Sequence, residues 1–277
     1  MDFTIITPSY NYGHYIGECL GSVAKQEGAS FEHLVIDACS TDGTASVVAQ
    51  YPHAQFFQEP DAGMSDAINK GFLKAKGKWV MWLNADDRLK PGALRAVKAY
   101  SENNHDADVI YGGWDFIDAN GRFQKRMPAV PFDFRMLIQH GCYIGSTSCF
   151  YRKSTTIDQN FLLNVDFRFC MDGEYYARLA AAGKSFLHMP LILADFRLHD
   201  QSISQSNLGK GDISGILNYQ RQAAEPRTLR RLYGFKPFKD ENLCLVVDGI
   251  LYHVYRLKKG LIRSWCRRRC QGDPAVE

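Results

Sequence analysis

The first hundred residues alternate short β-type runs with segments of helical periodicity, an alternation that few architectures accommodate. Phe3 to Thr7, His33 to Asp37, Ala54 to Gln58 and Lys78 to Leu83 are the candidate strands, each brief, largely apolar and closed by a polar or turn-forming residue. Between them, Tyr15 to Gln26, Gly43 to Gln50 and Met64 to Lys76 space their apolar residues as a helix does, and Pro91 opens a fourth helical segment reaching Tyr100. Ser40 or Thr41 is positioned to cap the second helix. A β-α-β-α-β-α-β-α order predicts a parallel sheet with crossover helices, and in such sheets the ligand crevice lies outside the carboxyl ends of the strands.

The residues at those ends are Pro8 to Asn11, Asp37 to Asp42, Glu59 to Asp61 and Asn84 to Asp87, and three of the four groups are acidic. A dinucleotide or phosphate-loop fold would place a glycine-rich turn there, but the chain has neither GxGxxG nor GxxxxGK[ST]. The nearest approach, Gly71 to Lys78, has one residue too many and is followed by Trp79 instead of Ser or Thr. Two adjacent carboxylates, Asp86 and Asp87, suit Mg2+ or Mn2+, which in turn bridges phosphates. The alternative is a surface turn whose Asp caps the helix at Pro91.

From Asp108 the pattern changes to strands joined by turns: Asp108 to Gly112, a hairpin over Asp115 to Lys125 around Asn120-Gly121, and Ser146 to Tyr151. Met171 to Ala182 reads as a helix ended by Gly183, and Ser185 to Leu198 as one or two strands. A polar linker, Gln205 to Gly211, then leads to helices at Gly215 to Tyr233 and Glu241 to Cys270. The expected domains are 1–205, divided into halves 1–100 and 101–205, and a helical extension 206–277.

Charge is distributed unevenly. The total is +3, yet residues 251–270 hold seven Lys or Arg and no acid, which leaves 26 bases against 30 acids elsewhere. The eight scattered cysteines form no CxxC pair and read as reduced thiols instead of a disulfide framework or zinc knuckle. No apolar run approaches the roughly 18 residues of a transmembrane helix, and the amino terminus lacks a signal-peptide pattern, so the chain is expected neither to span a membrane nor to be secreted.

Four motifs in order carry a family resemblance: Ile6-Thr7-Pro8-Ser9-Tyr10-Asn11, Ile36-Asp37 through Asp42-Gly43-Thr44, Glu59-Pro60-Asp61 through Asp66 to Gly71, and Leu83-Asn84-Ala85-Asp86-Asp87. Asp172-Gly173-Glu174 with Arg178-Leu179, and Arg197-Leu198-His199 with Ser202 and Ser204, extend it to about residue 205. This part of the chain resembles a family 2 glycosyltransferase, in particular members that build bacterial O-antigen and exopolysaccharide. The resemblance implies an α/β fold of the GT-A type, a Rossmann-like nucleotide-diphospho-sugar transferase with a mixed sheet flanked by helices. It also implies an inverting, metal-dependent transfer of a sugar, from a UDP-hexose, to a hydroxyl of a lipid-linked glycan.

By the same resemblance Pro8, Tyr10 and Asn11 border the nucleotide, Asp37 accepts from the uracil imide N–H, and Asp61 and Asp66 lie near the donor. Asp66 has a salt-bridge alternative in Lys70 at i+4. Where the family's metal motif begins with Asp this chain has Asn84, so Asn84 is left to hydrogen-bond the ribose. Asp86 is then the first metal ligand, Asp87 the next, and His199 a third ligand or a diphosphate contact, against a plain strand-end histidine. Asp172, at a helix start whose dipole keeps it ionised, is the implied base, with Glu174 its rival and simple helix capping the alternative to both. The segments Gly112 to Phe116 and Gln139 to Ser148 are expected to line the sugar and acceptor pocket.

In the tail, Leu251, Val254, Tyr255, Leu261, Ile262, Trp265 and Cys266 fall at helical spacing among the bases, the pattern of an interfacial helix on anionic lipid. A helix docked on its own domain is the alternative, and no aromatic-lined basic groove points to nucleic acid. The expected location is the cytoplasmic face of the inner membrane, peripherally bound, near a polyprenyl-diphosphate-linked acceptor. Two other classes remain: a non-catalytic subunit binding nucleotide-sugar or glycan, and a nucleotidyltransferase, which would need a Gly/Arg-rich phosphate loop after its first strand.

Overall fold

The computed structural model describes residues 1–200, 224–234 and 241–270, and in the last segment the side chains of 250–264. Among the described residues nine strands form one mixed sheet: β1 Phe3–Ser9, β2 Phe31–Asp37, β3 Ala54–Gln58, β4 Trp79–Trp82, β5 Arg88–Leu89, β6 Val109–Ile117, β7 Phe123–Met127, β8 Cys149–Arg152 and β9 Phe186–Arg197. The order is β3-β2-β1-β4-β8-β6-β9-β5, with β7 paired to β6. β1 to β4 pair in parallel, as the alternation predicts, and β8 joins β4 antiparallel. Strand order reverses at β1, between β2 and β4, so the crevice opens where Pro8 and the residues after Trp82 emerge.

Every residue of β1 and β4 is buried, as expected of central strands covered on both faces. Side chains alternate between two cores. Ile6, Val80 and Trp82 face one cluster, while Ile5, Met81 and Leu83 face the other. The first is roofed by α3 (Met64–Lys74), α5 (Phe134–His140) and α6 (Met171–Ala181), the second by α1 (Ile16–Ala24) and α4 (Ala93–Glu102). In α1 the buried residues Ile16, Cys19, Leu20 and Val23 fall at i, i+3, i+4 and i+7, the stripe a surface helix needs. Helix α3 lies so close to β1 that a Cβ at Gly71 would stand 2.5 Å from an Ile6 methyl, so a larger residue there would force the Ile6 side chain or the helix to shift. Trp82 stacks on Tyr151 at 5.2 Å and 9°, and Tyr175 of α6 meets Tyr151 edge-on, which anchors α6 to the sheet.

Local departures from expectation have physical causes. Helix α2 (Thr44–Val48) is not capped by Ser40 or Thr41: Gly43 takes the cap at φ 90°, and the Asp42 carboxylate accepts from the Thr44 amide at 3.1 Å. Ser40 is engaged by Asp37 instead. The expected hairpin is β6–β7, turning at Gly121 with φ 79°, and the one or two strands expected over Ser185 to Leu198 are the single strand β9, Phe186–Arg197. The linker, the 205/206 boundary and the start of the helix expected at 215 lie outside the described residues, while 224–233 is helical.

The tail forms one helix, α7 (Glu241–Cys270), uninterrupted at Gly260. It docks on α5: Tyr255 and Ile262 pack against the first core, and Lys258 pairs with Asp133, the N-cap of α5. The expected apolar stripe is thereby divided. Tyr255 and Ile262 face the body, whereas Val254 and Leu261 join Ile250 and Leu257 on a face where each is more than half exposed. Trp265 and Cys266 lie outside the described side chains. Among the described residues no helix is long and apolar enough to cross a membrane.

Candidate functional site

After β4 the chain turns through Asn84-Ala85-Asp86-Asp87, closed by the Asp87 amide donating to the Asn84 carbonyl at 3.0 Å. The two carboxylates part company there. Asp87, 1% exposed, accepts from the Arg197 amide at 2.9 Å and from the Asn84 side-chain amide at 3.2 Å. Burial and then the neighbouring Asp86 charge push its pKa well above the usual carboxylate range. Asp86 turns to a pocket beside Pro8, Asn84, Arg168 and Asp172, with its Oδ2 2.8 Å from His199 Nε2.

Arg197, at the end of β9, organises this corner. Its side chain is fully buried, which a charge tolerates only when paired and hydrogen-bonded. Nε donates to the Asp86 carbonyl at 2.8 Å, Nη1 to the Ala119 carbonyl at 2.9 Å, and Nη2 to Glu18 at 2.7 Å. The Tyr15 ring lies 5.0 Å from the guanidinium and 4.7 Å from the His199 ring. Sequence reasoning singled out Arg197-Leu198-His199 but assigned Arg197 no role and overlooked Tyr15 and Glu18, because their partners come from three separate elements.

Asp172, the second residue of α6, lines the same pocket from the opposite half of the chain. Its Oδ1 accepts from the Gly173 amide at 2.7 Å, and the Cys142 thiol stands 3.7 Å from Oδ2. Burial raises its pKa, with the Glu225 charge acting in the same direction and the Gly173 amide at the helix start opposing the shift. Glu174 is 3% exposed and bound by both arms of Arg178, at 2.8 and 3.0 Å, away from the pocket. Glu225 itself, from the 224–233 helix, collects the amides of Arg168, Phe169 and Cys170 at 2.9, 2.7 and 2.8 Å. It therefore fixes the pocket wall that leads into α6, a contact no sequence pattern announces.

The other expected nucleotide residues lie at the strand ends, in the loops after them and, for Asp66, in the first turn of α3, without all reaching the pocket. Pro8 lines it. Tyr10 is 61% exposed, and Asn11, at φ 57°, ties the β1 loop to the β2 loop by accepting from the Thr41 amide and donating its own amide to Ser40. Asp37 is fully buried, with Oδ1 accepting from the Ser40 amide at 2.7 Å and Gln58 at 3.3 Å, and Oδ2 from the Ser40 hydroxyl at 2.6 Å. Asp61 accepts from the Gly63 amide. Asp66 accepts from the Ala62 amide and pairs with Lys70 at 3.3 Å, the salt bridge weighed against a donor contact. Of the segments expected to line the sugar and acceptor side, Ser146 lines the pocket and Cys142 touches Asp172.

A divalent metal fits Asp86 and His199 on chemical grounds. Mg2+ and Mn2+ at phosphate sites are held by one or two protein ligands, with substrate phosphates and water completing the shell. Among the described residues no group of three His, Cys, Asp or Glu side chains is placed to hold a metal. Asn84 Oδ1, buried in the pocket wall with no hydrogen-bond partner, leaves an acceptor for a ligand hydroxyl or for the metal shell.

Comparison with known proteins places this geometry. The profile of Glycosyl transferase family 2 matches residues 4–169. The chain is 36% identical over 97 residues to the putative teichuronic acid biosynthesis glycosyltransferase TuaG of Bacillus subtilis, covering 33% of this chain and 38% of TuaG. It is 27% identical over 167 residues to the poly(ribitol-phosphate) beta-N-acetylglucosaminyltransferase TarS of Staphylococcus aureus, covering 58% of this chain and 29% of TarS. The matches thus span less than half the length of these relatives. Among solved structures, TarS residues 1–349 in complex with UDP-GlcNAc superposes with a TM-score of 0.57 at 21% identity, over 81% of this chain and 66% of that one. The Pyrobaculum calidifontis mannosyltransferase with GDP-Man and Mn2+ gives 0.55 at 16% identity, over 95% and 84%. The mixed sheet with its flanking helices is the GT-A fold of these structures, and with the family profile matched over more than half its length, the chain belongs to glycosyl transferase family 2.

Proposed function

We propose that the protein is an inverting, metal-dependent glycosyltransferase that moves a sugar from a nucleotide-sugar, a UDP-hexose, to a hydroxyl of a lipid-linked glycan in bacterial surface polysaccharide synthesis. One observation carries the proposal: Asp86 and Asp172, from opposite halves of the chain, line one pocket, while each one's acidic neighbour is consumed elsewhere. A site with one carboxylate at the diphosphate end and one at the acceptor end suits single displacement, since double displacement wants a nucleophilic carboxylate beside the base.

In this reading Asp172 accepts the acceptor hydroxyl's proton as that oxygen attacks the anomeric carbon from the face opposite the nucleotide. The new C–O bond forms as the bond to the β-phosphate oxygen breaks. The raised pKa of Asp172 makes it a stronger base once ionised. Asp86 and His199 would hold Mn2+ or Mg2+, which when bound neutralises charge growing on the departing diphosphate. Asn84 Oδ1 accepts from a donor hydroxyl, and Tyr10 stacks on the base. The Asp37 carboxylate retains one lone pair on Oδ2 after its three internal bonds, the acceptor that a uracil imide N–H needs. The UDP and UDP-GlcNAc complexes of TarS favour a uridine donor, and the Mn2+ of the mannosyltransferase favours a metal.

We place the enzyme peripherally on an anionic cytoplasmic membrane surface through α7. The exposed apolar face at Ile250, Val254, Leu257 and Leu261, on a segment whose sequence carries seven Lys or Arg and no acid over 251–270, supports that location. Incubation with a panel of nucleotide sugars, followed by release of nucleoside diphosphate with and without chelator, tests the proposal. Turnover of a UDP-sugar that EDTA stops and Mn2+ restores is the expected result. Binding of a sugar nucleotide without any turnover would make the protein a non-catalytic subunit, and pyrophosphate as product would make it a nucleotidyltransferase.

A further inference from the structure

Where α7 docks beside α5, a cavity of about 460 Å3 stays open, separate from the pocket at Asp86 and Asp172. Its walls are Phe134, Ile138 and Gln139 of α5, Tyr233 from the 224–233 helix, and Leu251 and Tyr255 of α7. That size falls in the ~300–1,000 Å3 range of small-ligand sites, which are mostly apolar with a few polar groups to fix orientation. Phe134 and Tyr233 meet edge to face, with ring centroids 6.5 Å apart and planes at 81°, so two aromatic walls stand close to a right angle.

One polar group in these walls is unspent. Gln139 is 3% exposed, and its Oε1 is buried without a hydrogen-bond partner. A buried acceptor left unpaired is costly, and native folds seldom leave one without a donor from protein, water or ligand. Arg135, an exposed member of the lining, adds guanidinium N–H donors. The cavity therefore suits a ligand with an apolar face for the aromatic walls and with hydroxyls that both donate and accept. A pyranose ring has both, its C–H groups on one face and its hydroxyls at the edge. An isoprenoid chain would fill the apolar walls but brings no donor to Gln139.

The cavity is tied to the helix that carries Asp172. A Cβ at Gly173 would stand 3.7 Å from Leu229 Cδ1, so the 224–233 helix rests on the residue next to Asp172. Tyr233 follows Leu229 by four residues, about 6 Å along the same face of that helix. A ligand against Tyr233 therefore lies beside Asp172, not at it.

We infer that this cavity binds a pyranose of the acceptor glycan, one removed from the sugar whose hydroxyl meets Asp172. The inference rests on the reading of the protein as a transferase acting on a glycan. The full chain, with UDP and Mn2+ at saturation, is titrated by ligand-observed NMR with the methyl glycosides of glucose, galactose, mannose and N-acetylglucosamine. At least one glycoside is expected to bind, and Gln139→Leu to weaken it about fivefold, the worth of one hydrogen bond. Tyr233→Leu, which removes an aromatic wall, is expected to weaken it as well. Because Gln139→Leu deletes an unpaired polar group, its unfolding midpoint should not fall. Absence of glycoside binding, or undiminished binding by either variant, overturns the inference. Geranyl acetate, an isoprenoid chain without a donor, is the competing probe. Its binding, tightened by Gln139→Leu while no glycoside responds to that change, assigns the cavity to a lipid chain and equally overturns the sugar site. Turnover of a UDP-sugar by a protein that binds no glycoside overturns this site alone. Glycoside binding governed by Gln139 and Tyr233, in a protein that turns over no nucleotide sugar, removes the transferase reading and leaves the sugar site standing.

Discussion

The turn after β4 and the start of α6 each carry two acids close in sequence, and in each only one reaches the pocket. Asp87 is held by the Arg197 amide and Glu174 by the Arg178 guanidinium, while Asp86 and Asp172 face each other's side of the cleft. The lesson is that each carboxylate at the pocket stands beside a neighbour spent on structure. In the amino-terminal half that neighbour receives a buried backbone amide, and in the other half a planar cation that ties α6 to the Leu162 carbonyl.

The sharpest way to break the comparison is to exchange roles at α6. Asp172→Asn is expected to lower kcat by about 10²- to 10⁴-fold with nucleotide-sugar binding intact. Glu174→Gln is expected to keep most of kcat and lose roughly 3 kcal/mol of stability in denaturant titration, the cost of breaking a buried pair. The reverse pattern would move the base to Glu174. Because burial raises the Asp172 pKa, the acid limb of the kcat profile should lie above the ordinary carboxylate value of about 4. The linkage sign is set by the same shift. A carboxyl whose folded pKa exceeds its unfolded one favours folding at low pH, and that contribution is lost as pH rises through the folded value. Asp172→Asn should therefore raise the thermal midpoint at neutral pH even as it lowers kcat.

At the β4 turn, Asp86→Asn is expected to cost about 10²-fold or more and to blunt the response to Mn2+. Asp87→Asn, which imitates the protonated form that burial already favours, should change activity several-fold at most and leave the metal response unchanged. Equal metal dependence in both variants would dissolve the distinction between the two acids. A smaller effect tests what the C-terminal extension contributes. Glu225→Ala strips three amides of their acceptor, so hydrogen exchange at 168–170 should accelerate and kcat fall about tenfold, misplacement of a supporting loop being enough to slow a reaction. The smallest concerns the outer face of α7. Leu257→Asp or Leu261→Asp should weaken binding to anionic vesicles while leaving turnover of a soluble acceptor untouched, because neither side chain packs on the body. Unchanged vesicle binding would dismiss that face.

Much of the amino-terminal half is legible in the sequence because its information is local. Parallel central strands declare themselves as short apolar runs, and the polar residues that follow them must lie at the crevice. The pairing of β1 with β2 and β4, the β6–β7 turn at Gly121 and the arrival of Asp86 and Asp172 in one pocket follow from that pattern and from the family motifs. Ser40 shows where local reasoning stops. As a residue type it suits a helix cap, yet Asp37 takes both its amide and its hydroxyl, so the cap passes to Gly43.

The amino-acid sequence by itself determined the layered sheet, the acidic strand ends, the family and a basic, amphipathic last helix, all features carried by residue type and short-range period. Tertiary structure alone decided which acid of each pair faces the pocket, that Arg197 is buried between three elements, that Glu225 braces the start of α6, and which face of α7 is covered. The reason is geometric. Adjacent side chains in a turn or helix point in different directions, and what each meets is set by elements dozens to a hundred or more residues away, whose approach no local pattern records.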